Sequence, residues 1–445
     1  MLSPIIGLRT GNNSGYFQFL IGHILRYKII AIPPTLSETS VGQKWVEQFA
    51  TAEQPAAAAM LDAMLLLNEE QVSTAIRGTL DKIAKNARHR GKRIALYAER
   101  EFQQSAIFSS QLLPDRHGKL RCRAVGRSGP PAVKAIRGRS RVGSEGLIAF
   151  LASQQKDAWP KIFMNHPGPD LLRGKTAPAG EVIILTDFIG SGSRVRSMLD
   201  KFWVVPTVRS WVSRRLLKFR VVAAAATNSG LIKVRSHRLR PEVVSEWISP
   251  IIDRATSPSW YLAWRKLMDT YGPPGGRGSG RYGFGGEAAL IAFSYRIPNN
   301  TPAIIHQSEG AWRALYEGPI PPTLNALFGV RTTAQIIGEA ASANGIVLPP
   351  SLTEEERKMV VVLSLLRGRW HRGSETALAA RSGMAVPPLM DMLREALAKA
   401  LITNTGRLTD KGYAFLEAGG VRERKTPVIA STTQPYYPET LRVPR

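Results

Sequence analysis

The sequence predicts an α/β layered domain, a sheet with helices on both faces, followed by a C-terminal winged helix. Three observations carry this prediction. Short apolar runs such as RIALYA (93–98) and RVVAAAAT (220–227) alternate with helical segments, as strands buried on both faces do. One such run passes through a Gly-rich loop straight into a helix, EVIILTDFIGSGSRVRSMLDKFW (181–203). After residue 330 the pattern changes to three helices, a small hairpin and a closing helix, the order of a winged helix.

The composition agrees. At 445 residues the chain is long enough for two or three domains, and with 44% hydrophobic residues it can build a sizeable core, which excludes a disordered chain. The formal net charge is +26, with arginine outnumbering lysine. Such a surplus favours a polyanionic partner: nucleic acid, nucleotide or pyrophosphate. The single cysteine, Cys122, excludes a disulfide framework and a multi-cysteine metal site, and it fits a reducing cytoplasm. The apolar run at 16–34 carries His23, Arg26 and Lys28, which break a membrane span, and it has no signal-peptide pattern. It reads as a helix or hairpin packed on the main domain, or as an added tail.

Element by element, residues 45–86 read as two or three helices, with apolar residues at helical spacing among good helix formers. RIALYAEREF (93–102) reads as a buried strand running into a charged turn. Residues 114–141, rich in Gly, Pro and Arg, read as a mobile basic loop, and VGSEGLIAFLAS (142–153) starts a helix. KIFMNHPG (161–168) reads as a short strand and turn, and ALIAFSYRIPNN (289–300) as a further buried strand. In the last third, Thr353 and Glu356 form a capping box before a helix, and two more helices follow around 374–381 and 387–401. ITNTGRLT (402–409) supplies the hairpin. The predicted organisation is an extension (1–44), the α/β domain (45–330), a linker (331–350), the winged helix (351–420) and a basic tail (421–445).

The sharpest motif is IILTDFIGSGSR (183–194). Its strand delivers Asp187 to the carboxyl end of a parallel sheet, where ligands bind in open α/β folds. Gly190 and Gly192 permit close approach of backbone, and the amides from Gly190 to Arg194 suit an anion nest at the next helix start. Ser191 and Ser193 add hydroxyl donors. Asp187 is suited to accept from sugar hydroxyls or to hold a hydrated magnesium ion. The plainer alternative is a Gly-rich turn with no ligand.

This segment resembles the signature of type I phosphoribosyltransferases, whose loop binds the 5-phosphate of phosphoribosyl pyrophosphate (PRPP) and whose two acids hold the ribose diol. The resemblance implies a Rossmann-type sheet in which Asp187 takes the second acid's place and Gly190, Ser191, Gly192, Ser193 and Arg194 form the loop. Thr186 stands where the first acid belongs; it can hydrogen-bond a hydroxyl but cannot stabilise positive charge on the ribose. Glu99, Arg100 and Glu101 fall where the fold places its pyrophosphate loop. Arg100 is suited to a bidentate pyrophosphate contact, or to an ion pair with Glu99 or Glu101. Gly143 and Ser144 form an anion cap or a plain N-cap, and Asn299 and Asn300 a pocket edge or a tight turn.

The order of WVEQF, YAERE, RVGSEG, NHPG, ILTDFIGSGSR and YGFGG…PNNTP over residues 45–320 resembles the phosphoribosyltransferase-like family of prokaryotic conflict systems. Joined to a winged helix, it is similar to the accessory effectors of retron anti-phage systems. The resemblance implies a reverse transcriptase and its DNA–RNA hybrid as partners and an effector held inactive until infection.

The third helix of a winged helix normally enters a major groove. Here it carries Asp391 and Glu395, which suit phosphates poorly, leaving Arg372, Arg381, Arg394 and Arg407 for backbone contacts. Nucleic-acid contact and protein docking both remain open for this module. A further basic stretch, RSWVSRRLLKFR (209–220), interleaves Trp211 and Phe219 with arginine.

No HExxH, paired metal spacing, GxSxG elbow or GxxxxGK[ST] loop is present. His166 in NHPG is the one histidine near a motif, and it reads as pocket-facing or structural. Two functions are therefore expected. The first is an enzyme acting on PRPP or a nucleotide-related ribose phosphate, with or without magnesium. The second is a phosphate-ligand sensor that regulates through a nucleic-acid-binding winged helix.

Overall fold

The computed structural model describes residues 35–87, 91–102, 106–115, 117–132, 144–174, 178–254, 260–274, 279–316, 320, 324, 327–328, 337–338, 340–341, 344, 346–349, 351–367, 375–419 and 422–423. Residues 1–34 of the extension, most of the tail and Gly143 lie outside them. In chain order the elements begin with α1 (Ser40–Val46), α2 (Gln54–Asp62), β1 (Leu65–Leu67), α3 (Glu69–Ala87), β2 (Arg93–Ala98), β3 (Ser109–Pro114) and β4 (Leu120–Val125). Then come α4 (Ser144–Ala158), β5 (Phe163–Asn165), α5 (Pro169–Leu172), β6 (Ala179–Ile189), α6 (Ser193–Trp203), α7 (Pro206–Ser213), β7 (Lys218–Ala226), α8 (Asn228–Arg235) and β8 (Glu242–Ile248).

Strands β5-β2-β6-β7-β8 form one parallel sheet in that order. Its strands read as unbroken apolar runs because both faces are covered. Along β6, Val182 and Ile184 enter one core and Ile183 and Leu185 the other. The first core packs against α6 through Met198, Leu199 and Phe202, where the Phe202 ring meets Tyr97 edge-on at 5.2 Å and Phe219 at 5.3 Å. The second core packs against α3 and α4 through Ile76, Leu80, Ile148 and Leu151.

A third core lies beside the sheet. The following elements are α9 (Tyr261–Tyr271), β9 (Ser279–Gly280), β10 (Gly283–Phe284), β11 (Ile291–Phe293) and α10 (Ala303–His306). Trp45 of α1, Phe49 of the following turn and Met60 of α2 pack there against Trp264, Met268 and Ile304. Two indoles lock the two ends of the domain together: Trp45 Nε1 donates to the Ile304 carbonyl at 3.1 Å, and Trp264 Nε1 to the Ala56 carbonyl at 2.8 Å.

Three expectations need correction. The region read as a basic loop from 114 to 141 contains strand β4, which forms an antiparallel ribbon with β3 just before it; the turn between them is closed by Asp115, whose carboxylate accepts from the His117 and Lys119 amides. Apart from Ala124 at its base, which is buried in the core, the ribbon is largely exposed, so it carries no apolar alternation to reveal it. The run 289–300 contributes only β11, which pairs with β1 outside the main sheet. Strand β8, unmarked in the sequence reading, forms the sheet edge; EVVSEWI mixes acids with apolar residues and hides its strand character.

The winged helix comprises β12 (Ile346–Val347), α11 (Glu354–Arg367), α12 (Glu375–Ser382), α13 (Val386–Ala398), α14 (Asp410–Ala418) and β13 (Arg422–Glu423). The capping box forms: the Thr353 amide and hydroxyl donate to Glu356 at 2.9 and 2.8 Å, and the Glu356 amide returns to Thr353 Oγ1 at 3.3 Å. The wing is a single bridge between Ile402 and Leu408. Segment 331–350, read as a linker, buries Ile337, Ala340 and Ala341, and its β12 pairs with β13. Helices α12 and α13 lie against β8, and the module shares one continuous apolar core with the α6 face of the sheet.

Candidate functional site

The site forms at the carboxyl ends of β2 and β6. Strand β6 ends at Ile189, and the chain turns through Gly190, Ser191 and Gly192 into α6. Gly192 has φ +72°, in the left-handed region that favours glycine. The turn is packed from behind by two other glycines and an amide. A Cβ on Gly230 would sit 2.0 Å from the Gly190 carbonyl oxygen, and one on Gly190 would sit 2.0 Å from Asn300 Oδ1. Gly285, at φ +74°, brings its backbone against the Ser191 side chain. Thr227 pins the turn, since its hydroxyl donates to the Gly190 carbonyl at 2.7 Å and accepts from the Gly230 amide at 3.0 Å, capping α8.

What this packing leaves free is informative. The Gly190, Ser191, Gly192 and Arg194 amides donate to no protein acceptor among the described residues. The Ser191 and Ser193 hydroxyls lie 3.1 Å apart, and Lys233 Nζ donates to Ser193 Oγ at 2.9 Å. A helix start with unpaired amides, two hydroxyls and an ammonium has the composition of an anion cradle.

Beside the turn, Asp187 is buried, and it is paired from the neighbouring Phe293–Arg296 turn. Arg296 Nη2 donates to its two oxygens at 3.0 and 3.3 Å, and the Tyr295 hydroxyl donates to Oδ2 at 3.1 Å. Burial holds the Tyr295 phenol well above its ordinary pKa, so it stays a neutral donor. A magnesium ion held by Asp187 does not fit this arrangement, because a guanidinium already supplies the countercharge. Among the described residues no three His, Cys, Asp or Glu side chains gather as a metal site. Thr186 is also buried, its hydroxyl 3.4 Å from the Phe188 carbonyl.

Glu99 follows β2 directly and is 6% exposed. Burial pushes its carboxyl up to about 7, against the lowering pull of Arg194. Arg194 is shared among three carboxylates, Glu99 at 3.2 Å, Glu145 at 3.1 Å and Glu101 at 3.7 Å. The Glu99 contact is misaligned for a hydrogen bond. Glu99 Oε1, Arg194 Nε and Arg296 Nε are buried with no hydrogen-bond partner among the described residues. Glu99 and Arg194 still neutralise each other as an ion pair, so this strand end gathers polar atoms with hydrogen-bonding capacity to spare, an arrangement suited to a polar ligand.

The other sequence candidates fall as follows. Arg100 turns away from the two glutamates beside it: it donates to the Pro131 carbonyl at 2.6 Å and lies 4.9 Å over the Phe102 ring. Ser144 is buried at the first turn of α4, next to Glu145. Asn300 Nδ2 donates to the Phe284 carbonyl at 2.8 Å, and the Asn299 carbonyl accepts from the Phe284 amide at 2.7 Å, so the pair braces the Gly-rich turn that touches Ser191. His166 is structural: its Nε2 accepts from the Ala98 amide at 2.9 Å, and burial lowers its pKa to about 4.

The geometry sets an anion cradle beside a buried acid at the carboxyl end of a parallel sheet. The model of a family described as PRTase-CE matches residues 43–317. The chain belongs to the PRTase-CE family. A second family model, described as wHTH-PRTase associated, matches residues 360–443. The PRTase-CE chain therefore joins a phosphoribosyltransferase-like domain to a winged helix. No curated protein matches it.

In this PRTase-CE chain, residue-by-residue reading of the sequence missed Tyr295, Arg296, Thr227, Gly230, Gly285 and Lys233. Only Thr227 carried a local signal, the Thr-x-x-Gly spacing of an N-cap. The winged-helix candidates are less gathered. Arg394 is paired with Asp391 at 2.5 Å, and Arg381 is half-buried against Asn344 at 3.3 Å. Arg407 is exposed on the wing, and Arg372 lies outside the described residues. Trp211 lies under Arg173, and Phe219 belongs to the sheet core. No described helix is long and apolar enough to cross a membrane.

Proposed function

We propose that the domain is an enzyme acting at the anomeric carbon of a ribose 5-phosphate, with PRPP or a nucleotide-related sugar phosphate as substrate. The observation that carries this is the 190–194 turn, whose Gly190, Ser191, Gly192 and Arg194 amides have no acceptor among the described residues while its carbonyl side is clamped by Thr227, Gly230 and Asn300. The 5-phosphate takes those amides together with Ser191, Ser193 and Lys233. Asp187, held in place by Arg296 and Tyr295, keeps lone pairs free to accept from the ribose hydroxyls. Glu99, titrating near neutrality and close to Arg194, accepts the proton of the incoming N–H or O–H nucleophile. The bond from C1 to the leaving group breaks with its electron pair on the leaving group, and the new bond forms at C1. No step is assigned to magnesium.

The order of motifs and the winged helix support a role as a retron-type anti-phage effector in the cytoplasm, held by a reverse transcriptase and its DNA–RNA hybrid. Co-expression with such a pair, followed by co-purification, tests it. The Asp187–Arg296 pair favours one second reading, a ligand sensor, because it neutralises the acid nearest the sugar.

The decisive experiment incubates the full chain, its Asp187→Asn and its Glu99→Gln variants with PRPP and a mixed pool of bases and nucleotides, and measures pyrophosphate release. Turnover by the wild type that both variants lose establishes the enzyme. Binding of PRPP with no turnover establishes the sensor.

A further inference from the structure

The basic surplus of the chain concentrates away from the winged helix. The exposed face of α13 presents Pro387, Pro388, Asp391, Arg394 and Glu395, and its charges are consumed internally: Arg394 by Asp391 at 2.5 Å, and Lys399 by Glu395 at 2.6 Å. A helix with that face has little to offer a phosphate backbone.

A different surface does. Where α6 and α8 end, at the amino end of β8, an open cleft of about 720 Å³ is lined by Trp203, Arg235, Ser236, His237, Arg238 and Arg240, with Pro241 beside them. The turn that carries these arginines is fixed. The His237 ring is buried, its Nδ1 accepting from the Leu239 amide at 3.1 Å and its Nε2 donating to Asp200 at 3.0 Å. The Arg240 amide donates to the His237 carbonyl at 2.8 Å, and Arg240 is held at φ +46°, a costly conformation for that residue. Arg235 and Lys233 in the last turn of α8 are what a helix C-terminus favours. Arg238 and Arg240 lie beyond the helix, are exposed, and meet no carboxylate among the described residues. Of the acids at this end, Asp200 is engaged by His237 at 3.0 Å and Glu242 by Arg220 at 2.9 Å.

The cleft is also connected to the phosphate turn. Lys233 Nζ reaches Ser193 at 2.9 Å, and Arg196 Nη1 donates to the Lys233 carbonyl at 3.2 Å and to Ser236 Oγ at 3.3 Å. Ser236 is itself in the cleft wall. A line of cations therefore follows the seam of α6 and α8 from the turn to the cleft, where an indole is partly exposed.

We propose that this seam and cleft bind single-stranded nucleic acid, its phosphates on Arg196, Arg238 and Arg240 and a base against Trp203. A cationic groove that follows the backbone, with an aromatic platform in it, is the general arrangement for single-strand binding. The surface stands apart from the sugar chemistry: a chain that binds PRPP without turnover, or not at all, still shows it.

The test is fluorescence anisotropy of the full-length protein with a labelled mixed-sequence 20-nucleotide DNA strand across a series of KCl concentrations. Substituting Arg238→Ala with Arg240→Asn, asparagine being at ease with positive φ, weakens binding by about tenfold or more at 0.1 M salt, and lowers the slope of log K against log salt by about 1.4 for two lost phosphate contacts. The charge-retaining pair Arg238→Lys with Arg240→Lys keeps most of the affinity, which separates lost charge from lost fold. The winged-helix pair Arg394→Ala with Arg407→Ala binds within twofold of wild type. The proposal is overturned if the cleft variant binds as wild type does, if the winged-helix variant is the one that loses affinity, or if a duplex of the same sequence binds as tightly as the single strand.

Discussion

The Arg296 guanidinium lies 3.0 Å from the Asp187 carboxylate, across 109 residues of chain, and supplies the countercharge to the buried acid at the carboxyl end of β6. The acid is 5% exposed at its side chain and the arginine 34%, so the pair is only partly screened. A type I phosphoribosyltransferase signature places two acids on this strand end. Here Thr186 replaces one, and the other carries its own cation.

Replacing Arg296 with methionine leaves Asp187 buried with only Tyr295 as a donor. The expected loss is ~2–3 kcal/mol, below the 3–5 typical of breaking a fully buried pair because the arginine is partly exposed. Arg296→Lys, which keeps the charge without the fork, recovers part of it. Thermal or urea unfolding of the three proteins checks both values. An Arg296→Met protein as stable as wild type sinks this account of the pair.

Gly230→Ala places a methyl 2.0 Å from the Gly190 carbonyl, and backbone rather than a flexible side chain must move. We expect a stability loss of about 1–3 kcal/mol and a loss of PRPP or inorganic phosphate binding in calorimetry. Gly78→Ala, which meets nothing within 4 Å, is the matched control and leaves binding unchanged.

Glu99 gives stability a pH dependence whose sign is opposite to that of most carboxylates. Its folded pKa is raised from 4.5 to about 7, so the fold prefers the protonated acid. That contribution is complete below about pH 4.5 and is lost as pH rises through about 7. Its full size is on the order of 3 kcal/mol. In melts at pH 5 and pH 8, Glu99→Gln gains on wild type at the higher pH. If Glu99 is the proton acceptor, the wild-type rate climbs through pH 7, and the variant loses that limb. Parallel melting curves at both pH values would refute the buried acid.

The legibility of these features in the sequence follows their exposure to local pattern. Strand β6 and the 190–194 turn could be read because a strand buried on both faces is apolar at every position, and because Gly-x-Gly before a helix has a conformational meaning. The Thr353–Glu356 box could be read because both partners lie within one helical turn. Tyr295 and Arg296 could not: nothing within SYRIPNN states that a turn paired with β1 will fold back over Asp187. The β3–β4 ribbon escaped for the opposite reason, since Leu112 and Leu120 are exposed and the one buried position, Ala124, is too little to impose a period. The placement of Arg100 on Pro131 depends on a loop carbonyl 31 residues away, which no motif encodes.

The apolar interior that β8 shares with α12 and α13 makes the C-terminal module a wall of the sheet rather than an arm on a tether. Prising it off would wet large side chains at roughly 1.5–3 kcal/mol apiece, so heat or denaturant should dissolve both parts in one cooperative step. Any body that grips the module therefore grips the sheet edge as well, and a push there reaches the strand whose neighbour, β7, leads directly into Thr227, the clamp of the 190–194 turn.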